Sequence, residues 1–92
     1  MADALEVVGD RWSLLVVREL TFGVRRFSEI RHNTGAPRQI LTARLRKLEA
    51  AGVIARRRYQ DHPPRDEYVL TDAGRALTPV LQSLRHWGEQ FA

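Results

Sequence analysis

The sequence predicts an α+β fold that is mainly α, and three observations predict it. Helical periodicity runs through most of residues 2 to 51, a strand-turn-strand pattern occupies about 53 to 70, and a further amphipathic helix fills about 72 to 91. Ninety-two residues suffice for one hydrophobic core and not for two, so positions 1–92 read as a single domain.

The composition, 43% hydrophobic and 28% charged, is that of a globular rather than a disordered chain. Cysteine is absent, which removes disulfides, thiolate metal sites and a cysteine nucleophile from these residues. The longest unbroken apolar run, Leu14 to Val17, is far shorter than a membrane span or a signal-peptide core, and the expected location is cytoplasmic.

Ala2 to Val8 reads as a short helix with Ala4, Leu5 and Val8 apolar, ended by Gly9. Asp10 suits the N-cap of a second helix from Arg11 to about Phe22, whose Trp12, Leu15, Val16 and Leu20 form a broad apolar surface before Gly23. Arg25-Arg26-Phe27 is too short for a strand of its own and suits pairing at a sheet edge, and Phe27 or Ser28 opens a third helix through Asn33. Thr34-Gly35-Ala36 reads as a tight turn.

The stretch from Ala36 to Gly52 is organised as a helix with Pro37 in its first turn and Gly52 just past its end. At roughly 100° per residue, Leu41, Leu45 and Leu48 fall on one face, while Gln39, Ala43 and Arg46 fall on the opposite one with Thr42 at its flank. Amide, methyl, hydroxyl and guanidinium groups are the chemical types that read base edges in a DNA major groove, although an ordinary surface helix shows the same amphipathic pattern. Helix, Gly-containing turn and second helix with a polar outer face together match a helix-turn-helix over about 27–51.

The formal net charge of +4 is unevenly spread. Residues 25 to 65 hold eleven Lys plus Arg against three acids, a local +8, whereas residues 1 to 24 and 66 to 92 each carry two Arg against four acids. Positive charge concentrated on the middle of the chain attracts a polyanion.

After Gly52 the pattern changes. Val53 to Gln60 and Glu67 to Leu70 read as two strands, with a tip at Asp61 to Asp66 that holds Pro63 and Pro64 and presents Arg65. The arginines Arg56 to Arg58 and Arg65 favour phosphate or minor-groove contact over a hairpin that merely covers the core.

Thr71 suits the N-cap of the last helix, which Pro79 must kink or divide. Leu77, Leu81, Leu84, Gly88 and Phe91 form a seam of about two heptads, with Val80 and Trp87 beside it. Packing on the chain's own core is one use for that seam. A subunit interface built from Val80, Leu81, Leu84, Trp87 and Phe91, joined by Leu5 and Val8 of the first helix, is the favoured one.

A family resemblance rests on spaced motifs. Leu5-x-x-x-Gly9-Asp10-Arg11-Trp12, Arg18-Glu19-Leu20 and Gly23-x-x-Arg26-Phe27-Ser28-Glu29-Ile30 come first. Ile40-Leu41-Thr42-x-Arg44-Leu45-Arg46-x-Leu48-Glu49-x-x-Gly52-Val53-Ile54 and Pro63-Pro64-Arg65-x-Glu67-Tyr68-x-Leu70-Thr71-x-x-Gly74 come next, with Leu77-x-Pro79-Val80-Leu81 and Trp87-Gly88 near the end. In this order they resemble the HxlR-type branch of the bacterial winged helix-turn-helix regulators, within the MarR-like superfamily. The resemblance covers essentially the whole chain. It implies a winged helix-turn-helix with a C-terminal dimerisation helix: a homodimeric transcription factor, the Pro37 to Ala51 helix in the major groove of a palindromic or pseudo-palindromic operator, and the Pro-Pro-Arg tip as wing.

There are two departures from the family pattern. Members often carry Cys-Pro just before the first helix, and in some of them that cysteine senses oxidants; here the position falls at or before Met1, and no thiol sensing is carried over. Pro37 stands where a capping Ser is common.

Resemblance and chemistry together nominate Arg38, Gln39, Thr42, Ala43 and Arg46 as base readers, and Arg26, Ser28, Arg57 and Arg65 as phosphate or wing contacts. Arg44, nearer the leucine stripe, reads first as a structural ion pair or packing residue and second as a DNA contact. His32, His62 and His86 lie in different elements without metal-ligand spacing, and neither a catalytic triad, a carboxylate pair nor a Gly-rich phosphate loop is evident, so no enzyme, metal or cofactor is expected. No residue names a small-molecule effector. The rival reading is a winged-helix protein-interaction module, which has no need of the +8 middle segment.

Overall fold

The computed structural model describes all residues from Met1 to Ala92. The order is α1 (Ala2–Val8), α2 (Arg11–Thr21), α3 (Phe27–Thr34), α4 (Arg38–Ala50), β1 (Ile54–Gln60), β2 (Arg65–Leu70), α5 (Asp72–Arg75) and α6 (Thr78–Phe91). The leucine stripe of α4 does what its spacing requires: Leu41, Leu45 and Leu48 are buried against Val16, Val17 and Leu20 of α2, Ile30 of α3, and Ala36, Val53 and Ile54. Each such side chain removed from water contributes about 1.5 to 3 kcal/mol before ordering costs, so the orientation of α4 is strongly determined.

Local signals act where they were expected. The Asp10 carboxylate caps α2 by accepting from the Trp12 and Ser13 amides at 3.1 and 3.0 Å. Gly35 closes α3 at φ 74°, a left-handed backbone that lets the chain turn sharply into α4. Pro37 differs from expectation: with ψ 144° it stands just outside α4 as its N-cap, and the helix proper starts at Arg38. The ring supplies no capping acceptor, but the Pro37 carbonyl accepts from the Leu41 amide at 2.9 Å and begins the helical ladder.

β1 and β2 form one antiparallel ribbon running from the pair Ile54/Leu70 to the pair Gln60/Arg65, with a register shift between Arg58 and Gln60. Arg65 opens β2 instead of sitting in the tip, which shrinks to residues 61–64. The Arg25 carbonyl accepts from the Tyr68 amide at 2.7 Å, so the short segment before α3 does lie along the edge of the ribbon, with one backbone bond in place of a strand.

Thr71 ties the ribbon to α5. Its hydroxyl accepts from the Gly74 amide at 3.2 Å and lies 2.5 and 2.9 Å from the Gly52 and Val53 carbonyls. Pro79 divides the last helix rather than kinking it: α5 is a single turn, and α6 restarts with Pro79 in its first turn, where a missing amide costs nothing. Leu77 and Leu81 pack on the core, but exposure then climbs along α6 from Val80 at 43% through Leu84 at 50% and Trp87 at 59% to Phe91 at 71%. This helix leaves the core behind, in keeping with a long axis of 48 Å against 25 and 22 Å across. No helix is long and apolar enough to cross a membrane.

Candidate nucleic-acid interface

The outer face of α4 is set by two anchors besides its leucines. Arg44 donates from Nε to Asp10 Oδ2 at 2.9 Å, and Lys47 Nζ lies 3.8 Å from Asp10 Oδ1. These bonds consume the basic residues on the core side of the helix, as the helical angle of Arg44 predicts. α3 is locked to α2 separately, by a 2.7 Å bond from Asn33 Nδ2 to the buried Glu19 carboxylate.

With α4 so held, Arg38, Gln39, Ala43 and Arg46 are exposed. Thr42 is half-buried, and its hydroxyl donates to the Arg38 carbonyl at 2.9 Å, which leaves its methyl and an oxygen lone pair for any ligand. Arg38, Thr42 and Arg46 share a hollow with Phe27, Glu49, Arg56 and Tyr68. A second hollow adjoins it, lined by Arg26, Phe27, Ser28, Arg31, His32 and Arg38 together with Tyr59, Arg65 and Asp66 from the ribbon. Arg38 belongs to both. The structure thus brings Arg26, Ser28 and Arg65 to the side occupied by Arg38, Thr42 and Arg46; Gln39 and Ala43 lie on the outer edge, away from both hollows.

Arg57 is the exception. It shares a depression with Leu20, Thr21, Arg25, Val69 and Arg75 on the opposite face of the ribbon, and it is bonded to Glu67 at 2.8 and 3.1 Å. Strand parity is the reason: with Ile54 buried, its same-side neighbours are Arg56 and Arg58, and Arg57 points the other way.

The arginines divide by partner. All three on β1 are paired with carboxylates, Arg56 with Glu49, Arg57 with Glu67 and Arg58 with Asp66. Hydrogen bonding and charge from Glu49 raise the Arg56 pKa, and burial raises that of Tyr68, so neither group titrates near neutrality. Arg26, Arg31, Arg38, Arg46 and Arg65 form no ion pair. Two of them rest on aromatic rings: Arg26 lies 4.4 Å from the Tyr59 centroid and Arg38 5.5 Å from that of Phe27. Unneutralised guanidinium groups around a helix with a polar outer face attract phosphate and present donors to base edges.

Sequence reasoning missed Arg31, His32 and Tyr59 in this surface. The first two stand three and four positions after Ser28, hence on the same helical face, and that spacing is a signal the sequence carries. Tyr59 carries no such signal.

The exposed Val80, Leu84, Trp87 and Phe91 of α6 and Leu5 of α1 line neither hollow and leave apolar surface uncovered, and the Trp87 and Phe91 ring centroids are 5.8 Å apart. Val8 and Leu81, which the sequence placed beside them, are half-buried and pack on the chain's own core.

Three helices around one core, a glycine turn between the second and third, and a two-stranded ribbon beside the third define a winged helix-turn-helix protein. Residues 7–92 match the HxlR-like helix-turn-helix model, and the chain belongs to that family. It is similar to an uncharacterized HTH-type transcriptional regulator of Mycobacterium tuberculosis, 48% identical over 88 residues that cover 96% of this chain and 56% of that protein. The chain thus spans little more than half the length of that relative. Among solved structures, the reduced form of the transcriptional regulator YodB from Bacillus subtilis matches at TM-score 0.84 and 32% identity, covering 100% of this chain and 91% of YodB. A transcriptional regulator of the MarR family from Enterococcus faecalis matches at TM-score 0.77 and 40% identity, over 96% and 81%. No cysteine occurs in the 92 residues, so they hold no thiol to switch between reduced and oxidised forms.

Proposed function

We propose that this chain binds duplex DNA sequence-specifically as a homodimeric transcriptional regulator in the cytoplasm, and that it is not an enzyme. The observation that carries the proposal is a set of unpaired guanidinium groups: Arg26, Arg31, Arg38, Arg46 and Arg65 line the two hollows beside α4 and the start of α3, and none of them has a carboxylate partner. α4 enters the major groove, where Arg38, Gln39, Thr42, Ala43 and Arg46 meet base edges; Arg26, Ser28 and Arg65 meet the backbone. Arg57 is withdrawn from that set, because it sits on the other face with Glu67. Uncovered apolar residues on α1 and α6 support dimerisation through Leu5, Val80, Leu84, Trp87 and Phe91, with Val8 and Leu81 bracing those helices from inside. Two α4 helices related by a dyad then read two half-sites about one helical turn apart.

Titration of a random-sequence duplex at increasing salt tests the reading. The affinity should fall steeply and linearly on a logarithmic plot, because each arginine-phosphate contact releases counterions. Absence of duplex binding by a dimeric sample at low salt contradicts it and favours a protein-interaction module.

A further inference from the structure

Tyr59 is the residue of β1 that the ribbon leaves without a cross-strand partner, since Arg58 pairs with Asp66 and Gln60 with Arg65. Strict alternation would send its ring to the Arg57 side. The extra residue breaks the alternation, and the ring lies instead beside Arg26, Arg65 and Asp66. Arg26 is held at both ends. Its backbone is fixed between the Arg25 carbonyl, bonded to the Tyr68 amide at 2.7 Å, and the first residue of α3, while its guanidinium carbon sits 4.4 Å from the Tyr59 centroid.

An exposed arginine ordinarily samples many rotamers and loses that freedom on binding. A ring beneath the guanidinium restricts it beforehand and leaves the N–H edge free to donate. We infer that Tyr59 is a positioning residue, whose ring pre-aims Arg26 at a DNA backbone phosphate on the shoulder between α3 and the wing. Phosphate is the matching ligand because Arg26 stands outside α4, beside the exposed Ser28 and the unpaired Arg31 and Arg65, which together offer anion donors and no base-reading helix. This inference rests on the duplex-binding reading above.

The test combines Tyr59→Leu, Tyr59→Phe and Arg26→Ala with a random-sequence duplex as probe. Tyr59→Leu should weaken binding about 2- to 5-fold per protomer, the range expected for loss of an exposed cation-π contact, and Tyr59→Phe should restore it. In the Arg26→Ala background Tyr59→Leu should add nothing, whereas a residue that merely shapes the ribbon would cost the same with or without Arg26. Proton spectra of the free protein give a readout without DNA: the Arg26 methylenes should be ring-current shifted in the parent and Tyr59→Phe, and not in Tyr59→Leu. A parent that binds duplex while Tyr59→Leu binds equally well, or an effect unchanged by Arg26→Ala, overturns the inference alone. A parent that binds no duplex overturns the function it rests on as well.

Discussion

Arg44 of α4 donates to Asp10, 34 residues earlier, at 2.9 Å, and Asp10 is also the residue that caps α2. One carboxylate therefore sets both the start of a core helix and the rotation of the helix proposed to read DNA. Burial acts to raise the Asp10 pKa, but hydrogen bonds from the Ser13 side chain and amide and from Arg44, with the charge of Arg44, outweigh it, and the net shift is downward. The unfolded chain therefore binds the proton more readily than the folded one. This contribution to stability is fully present above the ordinary carboxylate pKa and is lost as pH falls through the lower folded value. Asn caps a helix as well as Asp does, so Asp10→Asn removes chiefly the charge paired with Arg44. It should cost roughly 1 kcal/mol near neutrality, the upper end for a partly exposed ion pair, and should flatten the acid limb of stability against pH. Urea midpoints measured from pH 6 to pH 3 check both effects; identical acid limbs would remove the carboxylate from this role.

Arg46 faces the same hollow as Arg38 and Thr42, carries no ion pair and stands opposite the leucine stripe. Arg46→Ala should therefore leave folding intact and cost about 1 to 3 kcal/mol on a selected operator while relaxing preference at one base position. Selection of bound sequences from a random pool, run on parent and variant, reads this out. Equal losses on specific and nonspecific duplex would assign Arg46 to a phosphate instead.

Gly74 is buried where α5 meets the ribbon, and a side-chain carbon there would run into the Val53 carbonyl oxygen and the Leu70 side chain. One obstacle is backbone and cannot rotate away, so Gly74→Ala should destabilise by about 1 to 3 kcal/mol, as overpacking does. For a domain of this size that is a fall in Tm of several degrees, measurable by calorimetry. An unchanged Tm would show that α5 can lift from the ribbon at no cost.

What the sequence made legible was mostly local. The α4 leucines, the Asp10 and Thr71 caps and the Gly35 turn depend on neighbours within one or two turns, and each appears at its expected position. Face assignment on the ribbon was partly legible. Buried Ile54 fixes the parity that puts Arg56 and Arg58 on one side and Arg57 on the other, and the same parity removes Arg57 from the phosphate contacts that its charge alone suggests. The register shift at Tyr59 was not legible, because one unpaired residue leaves no mark on a pattern of alternating side chains. It also moved Arg65 out of the tip and into β2. At the α4 start, Pro37 fits either the first turn or the position before it by composition alone; its extended ψ places it before.

The outer residues of α6 grow more exposed toward its end while Leu77 and Leu81 stay against the core. A helix with one apolar face spent on its own domain and a second left in water has surface for a partner. Leu84 lies midway along that second face and is half exposed, so Leu84→Glu adds charge without opening the core. If the exposed face is the dimer seam, the variant should fold with a near-parent Tm and sediment or scatter as a monomer. Its affinity for a two-half-site operator should fall far more than its affinity for a single half-site, since only the paired arrangement holds two α4 helices one turn of DNA apart. A variant that remains dimeric would place the interface on other residues, and one that is monomeric yet binds the full operator as tightly as the parent would separate dimerisation from recognition.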